Sequence, residues 1–378
     1  MMRAMPEIRP YRIDVPAAVL DDLKERLSRT RWPESETVDD WSQGIPLAYT
    51  RELAAYWADS YDWRSREAAL NRFDHYLTEI DGLDIHFIHQ RSPHDDALPL
   101  VITHGWPGSV VEFHKVIEPL VNPPSGRAED AFHVICPSLP GYGFSGRPTH
   151  TGWGVEKIAE VWETLVGRLG YDRYGAQGGD WGAAVTTQIG RNGGHCVGIH
   201  LNMPMAKPVA GSADITEDDQ QALAAFVEHR KWGTGYSKQQ STRPQTLGYG
   251  LVDSPVGQLA WIVEKFWAWA DCDGHPENVL SRDELLDNVM LYWVTGSGAS
   301  SARLYWESFN RFVTDGRVEL PTGVAAFPKE ILRTPRSWCE AAYNVTHWTT
   351  MPRGGHFAAF EQPELFVDDV RAFFATVR

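Results

Sequence analysis

Residues 173–190, RYGAQGGDWGAAVTTQIG, hold the pattern from which the fold can be inferred. A weak apolar strand leads into Gly178-Gly179-Asp180-Trp181-Gly182-Ala183, and a helical pattern follows. A turn this tight needs small flanking residues, and it exposes its central side chain at the top of a sheet. The adjacent helix N-terminus favours a negative charge there. The pattern predicts either an elbow that presents Asp180 as a nucleophile or an ordinary turn in which Asp180 caps the helix.

Alternating strand and helix patterns surround this turn. Buried strands are indicated by ALPLVITHGWPG (97–108), AFHVICPSLPGYGFSG (131–146) and CVGIHLNMP (196–204). Helical spacing is found in VVEFHKVIEPL (110–120) and VEKIAEVWETLVGRLG (155–170). Strands that alternate with helices predict an α/β fold with a mostly parallel sheet flanked by helices.

The segments before and after this region show other secondary-structure patterns. The first 75 residues are mostly helical in pattern, and Asp81-Gly82 between two alternating stretches is a strong hairpin signal. Further along, the strand–helix alternation gives way to a polar, Trp-rich helical stretch before strand patterns return near the C-terminus. We therefore expect an N-terminal arm with the first hairpin at 1–95, a core in two parts at 96–205 and 319–378, and a helical lid at 206–318. The N-terminal arm is expected to pack against the core and against the lid.

Composition and charge argue against several classes of protein. The chain has 378 residues with 43% hydrophobic and 22% charged residues, which is typical of a globular protein. A net charge of −15 argues against nucleic acid as a partner. No apolar run approaches the roughly 18 residues of a membrane anchor, and no secretory signal is recognised. Four widely spaced cysteines indicate a reducing, cytoplasmic location, and the 16 tryptophans indicate a large core or an apolar pocket.

The turn His104-Gly105-Trp106-Pro107-Gly108 follows the first apolar strand of the core. A turn at this place can aim the backbone N–H of Trp106 at the site. Together with the N–H of Trp181 it would form an oxyanion hole. The alternative is a Gly/Pro turn that merely closes a strand.

A histidine and an acid complete the pattern. His356 lies in Gly354-Gly355-His356-Phe357, after the last predicted strand, and a nucleophile followed by a C-terminal His is the chain order of an α/β-hydrolase triad. The acid should follow a strand between the two. Glu330, which ends VAAFPKE, fits better than Asp315, which lies in the loop-like TDGRVELP. The agreement of these signals predicts an α/β-hydrolase core with an Asp180–His356–Glu330 triad.

An aspartate nucleophile points to a reaction at a tetrahedral carbon. A carboxylate that attacks such a carbon forms an ester on the enzyme, which activated water can then cleave. Epoxide opening and carbon–halogen cleavage both fit, but only the epoxide oxygen needs an acid. A tyrosine is protonated at neutral pH and suits that task. The lid contains four tyrosines, any of which can instead serve packing or lie at the surface: Tyr236, Tyr249, Tyr292 and Tyr305.

Four motifs spread along the chain are similar to one family: HGWPGS, GGDWGA, DSPVGQLAWIVEKFWAW and RGGHFAAFEQPE. They resemble the microsomal-like epoxide hydrolases of the α/β-hydrolase superfamily. The resemblance implies that Asp180 is the nucleophile, His356 the general base and Glu330 its partner. It also implies that two lid tyrosines act as acids, with Tyr305 matching the R-x-Y-x-E context and Tyr236 the second position.

The resemblance further implies a soluble bacterial-type member without an anchor helix, which converts an epoxide and water to a vicinal diol. A bulky aromatic epoxide in a natural-product pathway is plausible, and a homodimer is left open. Four residues are expected to line the pocket: His104, Pro107, Phe144 and Phe357. The alternatives are a haloalkane dehalogenase-type hydrolase and a catalytically silent ligand-binding relative.

Two further motifs are interpreted as incidental. The sequence GYGFSG at 141–146 matches a dinucleotide fingerprint, but it lies between Pro140 and Pro148 and does not open a helix. His86, His89 and His94 have no accompanying ligand cluster, and solvated strand and loop positions are the preferred interpretation. We therefore expect no metal and no cofactor.

Overall fold

The computed structural model describes residues 7–208, 216–309 and 316–378. Its centre is a sheet of nine strands: β1 (Arg9–Tyr11), β2 (His75–Ile80), β3 (Leu83–Gln90), β4 (Leu98–Thr103), β5 (Phe132–Pro137), β6 (Tyr174–Gly178), β7 (Cys196–Leu201), β8 (Val318–Ala326) and β9 (Tyr343–Thr350). Their order across the sheet is β1-β2-β3-β5-β4-β6-β7-β8-β9. The pairs from β5 to β9 are parallel, whereas β1, β2 and β3 pair in antiparallel fashion. The predicted α/β fold with a mostly parallel sheet is confirmed.

The helices follow in chain order. The N-terminal arm contributes α1 (Ala17–Ser28), α2 (Leu47–Asp59) and α3 (Trp63–Leu70), and the first part of the core contributes α4 (Ile117–Val121), α5 (Val155–Arg168) and α6 (Trp181–Asn192). Between β7 and β8 lie the helices that we call the lid: α7 (Glu217–Glu228), α8 (Gly235–Thr242), α9 (Pro244–Asp253), α10 (Pro255–Trp269), α11 (Arg282–Thr295) and α12 (Gly298–Ser308). The chain closes with α13 (Arg336–Ala342), α14 (Ala358–Glu361) and α15 (Pro363–Phe374). Within the described ranges, no helix has the length and apolar character needed to span a bilayer.

Two glycines of β6 show that helices cover both faces of the sheet. Gly175 and Gly178 are three residues apart, so they face opposite sides. A Cβ at Gly175 would lie 2.3 Å from the ring of Phe374 in α15. A Cβ at Gly178 would lie 2.2 Å from the carbonyl oxygen of Gly182 in α6. Helices α15 and α6 therefore pack closely on opposite faces, which explains why β4 and β5 beside them are buried along their whole length.

The N-terminal arm joins the sheet at one edge and contacts the lid. The predicted hairpin is present: Asp81 and Gly82 have φ values of 52° and 79°, as expected where both central residues of a turn are left-handed. The hydroxyl of Tyr56 donates to Asp283 and that of Tyr61 to Asp287, each at 2.8 Å, so α2 and the residues after it are tied to α11. The limits of the four predicted segments stay a prediction.

One predicted helix is wrong. The stretch 110–120 forms a 3-10 helix (Val110–Phe113), a bend and then α4. The cause is Pro119, which has no N–H to donate and is tolerated only in the first turn of a helix. A continuous helix through this stretch would place Pro119 in its interior. Helix α4 instead begins two residues before it.

Candidate active site

The turn between β6 and α6 holds Asp180 in a strained conformation. Its φ of 51° and ψ of −128° lie where residues other than glycine rarely occur, at a cost of roughly 1–3 kcal/mol. The first turn of α6 lies very close to the end of β4, because a Cβ on Gly182 would lie only 1.9 Å from the carbonyl oxygen of Thr103. The Asp180 side chain makes no capping hydrogen bond to α6. This geometry favours the elbow over the ordinary N-cap.

The turn after β4 supplies a backbone donor to Asp180. The N–H of Trp106 donates to Oδ1 of Asp180 at 2.8 Å. The backbone at Gly105 lies so close to Asp180 that a Cβ on Gly105 would be 2.2 Å from the same oxygen. Trp181, the other predicted donor, is the first residue of α6 and follows Asp180 directly.

The structure brings His356 and Glu330 to Asp180. Nε2 of His356 lies 3.5 Å from Oδ2 of Asp180, and Nδ1 lies 2.6 Å from Oε1 of Glu330. All three side chains are buried. A bridge between Lys329 and Gly355 links the loops that carry Glu330 and His356, which follow β8 and β9. Asp315, the alternative acid, lies outside the described residues.

The electrostatics of this group centre on His356. Burial lowers the pKa of its imidazole, but the charges of Glu330 and Asp180 and their hydrogen bonds raise it well above the ordinary value. The two carboxylates therefore favour the cationic form of the imidazole. Any reaction that neutralises Asp180 removes one of the two charges that raise this pKa.

Two of the four lid tyrosines lie beside the Asp180 turn. The rings of Tyr236 and Tyr305 meet edge to face at 5.8 Å, and they contact the indole of Trp106 at 5.0 and 5.9 Å. Burial raises the pKa of both phenols, and the charge of Asp180 raises it further. Both are therefore protonated donors. Of the others, Tyr249 is 72% exposed, and Tyr292 donates to the carbonyl oxygen of Gly108 at 2.8 Å.

Three of the four predicted pocket residues lie near this group. His104 is buried, and burial lowers its pKa to about 4, so it is neutral. Pro107 follows Trp106 in the turn, and Phe357 packs against the His356 ring at 5.1 Å.

Phe144 is the exception, because its ring contacts Tyr11 and His86, each at 5.4 Å. The turn at Gly143, with a φ of 48°, separates it from Tyr142, whose ring faces His104 instead at 5.5 Å. The ring contacts of Phe144 therefore do not support its expected place in the pocket, and Tyr142 is the residue of this loop that contacts His104.

The interpretation of His86 and His89 as solvated positions is also wrong. Strand β3 is paired on both sides, by β2 and β5, and both side chains are buried there. His86 contacts His75 and Ser138, each at 2.9 Å, and His89 contacts the Tyr171 hydroxyl at 3.0 Å.

Glu361 is a further residue of the site, and no sequence motif predicted it. Its carboxylate accepts the backbone N–H groups of Gly355 at 3.1 Å and Phe357 at 2.9 Å, which flank His356. It also accepts the N–H of Asp271, just beyond α10, at 2.7 Å. Burial raises the pKa of Glu361 to about 7, although these hydrogen bonds oppose the shift. A glutamate in the otherwise apolar run HFAAFE was the one signal for it.

Comparisons with known proteins agree with this architecture. Residues 8–113 match the family described as epoxide hydrolase N terminus, and residues 99–228 match the alpha/beta hydrolase fold. A protein from Stigmatella aurantiaca, assigned by name to the epoxide hydrolases, is 53% identical over 376 residues, which cover 98% of this chain and 86% of the relative. Epoxide hydrolase 1 of Oryctolagus cuniculus is 37% identical, over 98% of this chain and 89% of that protein.

Solved structures give the same result. Epoxide hydrolase from Aspergillus niger superposes with a TM-score of 0.90 at 33% identity, covering 99% of both chains. Juvenile hormone epoxide hydrolase from Bombyx mori superposes with a TM-score of 0.91 at 32% identity, covering 99% of this chain and 95% of that one. The chain therefore belongs to the microsomal-like epoxide hydrolases of the α/β-hydrolase superfamily.

Proposed function

We propose that the enzyme opens an epoxide through a covalent ester on Asp180. Oδ2 is the attacking oxygen, because Trp106 already holds Oδ1. The new bond joins Oδ2 to one ring carbon while the bond from that carbon to the epoxide oxygen breaks. The released electron pair stays on the oxygen, which takes a proton from the phenol of Tyr236 or Tyr305.

The second step is hydrolysis of the ester by water. Once Oδ2 is esterified, Asp180 carries no charge, so the pKa of His356 falls. The imidazolium proton then returns to the tyrosine phenolate left by the first step, and the neutral imidazole becomes a base. His356 takes a proton from water as the water oxygen bonds to Cγ of Asp180. The charge that develops on Oδ1 is stabilised by the N–H of Trp106, with that of Trp181 as the proposed second donor. The bond from Cγ to the diol oxygen then breaks, and that oxygen takes the remaining proton of the water from the new carboxyl group. This restores the Asp180 carboxylate and releases the diol, while Glu330 stabilises the imidazolium.

One observation favours this chemistry over halide release: two buried, protonated phenols lie beside the nucleophile. A departing halide needs no proton, so a haloalkane dehalogenase-type enzyme would have no use for the pair. A silent ligand-binding relative would have no use for the ion-paired Asp180, His356 and Glu330.

A bulky aromatic epoxide is the proposed substrate class. Support comes from the indole of Trp269, which contacts the rings of Tyr236 and Trp106 at 5.0 and 6.2 Å. With Tyr305 these rings form an aromatic wall next to His356, suited to an apolar, ring-bearing molecule. The role in a natural-product pathway stays a prediction from the resemblance.

The proposal is tested by trapping the ester. His356→Gln should form the ester with styrene oxide but hydrolyse it slowly, because the first step needs no base. Intact-protein mass spectrometry should then show an increase equal to the mass of one substrate. His150→Gln, which changes an exposed histidine, should turn over normally, and Asp180→Asn should gain no mass. An unmodified mass for His356→Gln after exposure to substrate would refute the covalent route.

A further inference from the structure

A small cavity directly adjoins Asp180 and His356. Its volume is about 20 Å³, and its wall also includes Glu112, Gln177 and Asn202. A cavity needs roughly 10–15 Å³ to hold one water molecule, and that water needs two to four polar partners. This cavity therefore has the size and the polar lining for a single water.

Glu112 contributes a carboxyl group to this wall. The residue lies in the 3-10 helix after the Trp106 turn, and its side chain folds back against Gly108. A Cβ on Gly108 would lie 1.3 Å from Oε1 of Glu112. Glu112 is half-buried and is one of the residues that line the cavity.

The Glu112 carboxyl interacts electrostatically with both Asp180 and His356. Burial raises its pKa to about 8; the charge of Asp180 adds to the rise, while that of His356 opposes it. The backbone of Ser109 supplies one hydrogen bond. A carboxyl group has up to four acceptor sites and, when protonated, one donor, so capacity is left for another partner. Gln177 donates to Asn202 at 2.9 Å, which fixes the amides that line the same cavity.

We propose that this cavity holds the water that hydrolyses the ester, and that Glu112 positions it against His356. The inference rests on the proposed two-step mechanism. Water in the cavity has Cγ of Asp180 on one side and Nε2 of His356 within reach. Glu112 accepts or donates the hydrogen bond that keeps the water oxygen pointed at Cγ, while His356 removes the proton. Glu112 is thus assigned to the second step alone.

Glu112→Ala and Gly108→Ala test this assignment. The first removes the group that holds the water, and the second displaces the unaltered carboxyl with a methyl group. Both should form the ester at close to the wild-type rate and hydrolyse it on the order of 10- to 100-fold more slowly, as expected for loss of a hydrogen bond to a reacting group. Single-turnover quenching with styrene oxide and mass spectrometry measures the two steps separately. Glu118→Ala, which changes an exposed glutamate in α4, is the matched control and should match wild type.

The results distinguish a failure of the role proposed for Glu112 from a failure of the covalent mechanism. If both variants hydrolyse the ester at the wild-type rate while His356→Gln accumulates it, Glu112 does not position the water and the mechanism stands. If His356→Gln forms no ester, the proposed function itself fails. Equal slowing of ester formation and hydrolysis would also overturn the assignment, because Glu112 would then act on Asp180 and not on the water.

Discussion

The backbone carbonyl of Trp269 accepts a hydrogen bond of 3.0 Å from the backbone N–H of His356. Trp269 is the last residue of lid helix α10, so the lid holds the proposed base directly. The contact leaves no room for a side chain at Gly355, whose Cβ would lie 2.4 Å from the same carbonyl oxygen. Glu361 ties the two segments a second time, because it binds the N–H groups of both Gly355 and Asp271.

Glu361→Gln should slow hydrolysis of the ester. The amide that replaces one oxygen cannot accept a backbone N–H, and an unsatisfied buried donor costs about 1–3 kcal/mol. We expect kcat to fall by about 10-fold with little change in KM, since His356 is displaced and no substrate contact is lost. The pH midpoint of hydrolysis should stay near that of wild type, because Glu330, whose charge raises the pKa of His356 in the ester, is kept. Glu364→Gln, which changes an exposed residue, is the control, and a wild-type hydrolysis rate in Glu361→Gln would contradict the positioning role.

Removal of either phenol should slow ester formation. Tyr236→Phe and Tyr305→Phe each delete a donor to developing negative charge, worth about 1.5–3 kcal/mol, or roughly 10- to 100-fold in rate. The quenching of tryptophan fluorescence on rapid mixing with styrene oxide should report this step. Tyr249→Phe changes an exposed tyrosine and should have no effect. Wild-type ester formation in the double variant Tyr236→Phe/Tyr305→Phe would remove the argument for epoxides.

The pH dependence of hydrolysis should respond to Glu330. Hydrolysis needs neutral His356, so its rate should rise with pH through the pKa of the imidazole in the ester. Because the charge of Glu330 raises that pKa, Glu330→Gln should move the midpoint to lower pH. The plateau rate should fall by about 10-fold or more, because the imidazolium loses its partner. A midpoint that moves to higher pH, or does not move, would contradict the arrangement.

A second buried carboxylate, Asp369, should govern acid stability. It contacts His200 of β7 at 2.9 Å and His347 of β9 at 2.8 Å. Burial raises its pKa, but these hydrogen bonds outweigh that effect and lower it to about 2. Since the folded pKa lies below the unfolded one, its contribution, on the order of 2–3 kcal/mol, is present above about pH 4 and lost as the pH falls towards 2. Asp369→Asn should lower the free energy of unfolding at pH 7 by that order, measured by urea denaturation.

The neighbouring Asp368 offers a control for this experiment. Its side chain is exposed, so Asp368→Asn should leave the free energy of unfolding within about 0.5 kcal/mol of wild type. Equal stability of both variants at pH 7 would show that the Asp369 contacts contribute nothing.

Local signals made most of the fold predictable. The Asp81-Gly82 turn, the GGDWGA elbow and the strand–helix alternation each carry their structural cause within a few residues. Strand β1 was missed because three residues, Arg-Pro-Tyr, give no periodicity, and their pairing with β2 depends on a segment more than sixty residues away. Pro119 indicates a break in the helix predicted at 110–120, but the apolar spacing of the same stretch favours a continuous helix.

The site was predictable where motifs define it and not where the lid meets the core. Asp180, His356 and Glu330 each follow a strand, so the carboxyl edge of a parallel sheet brings them together. No local pattern indicates that Trp269 and Asp271 contact the His356 loop, or that Glu361 joins them. The turn at Gly143 could not be placed from the sequence, and it directs the ring of Phe144 to Tyr11 and His86 and the ring of Tyr142 to His104.

A single turnover in ¹⁸O-labelled water shows whether water attacks Cγ of Asp180 or the epoxide itself. The enzyme, in excess over styrene oxide, is allowed one reaction, and the peptide that contains Asp180 and the diol are then analysed by mass spectrometry. One ¹⁸O atom should enter the Asp180 carboxylate and the diol should be unlabelled, because water attacks Cγ of the ester. Label in the diol with Asp180 unlabelled would mean that water attacks the epoxide directly, and the covalent mechanism would be wrong.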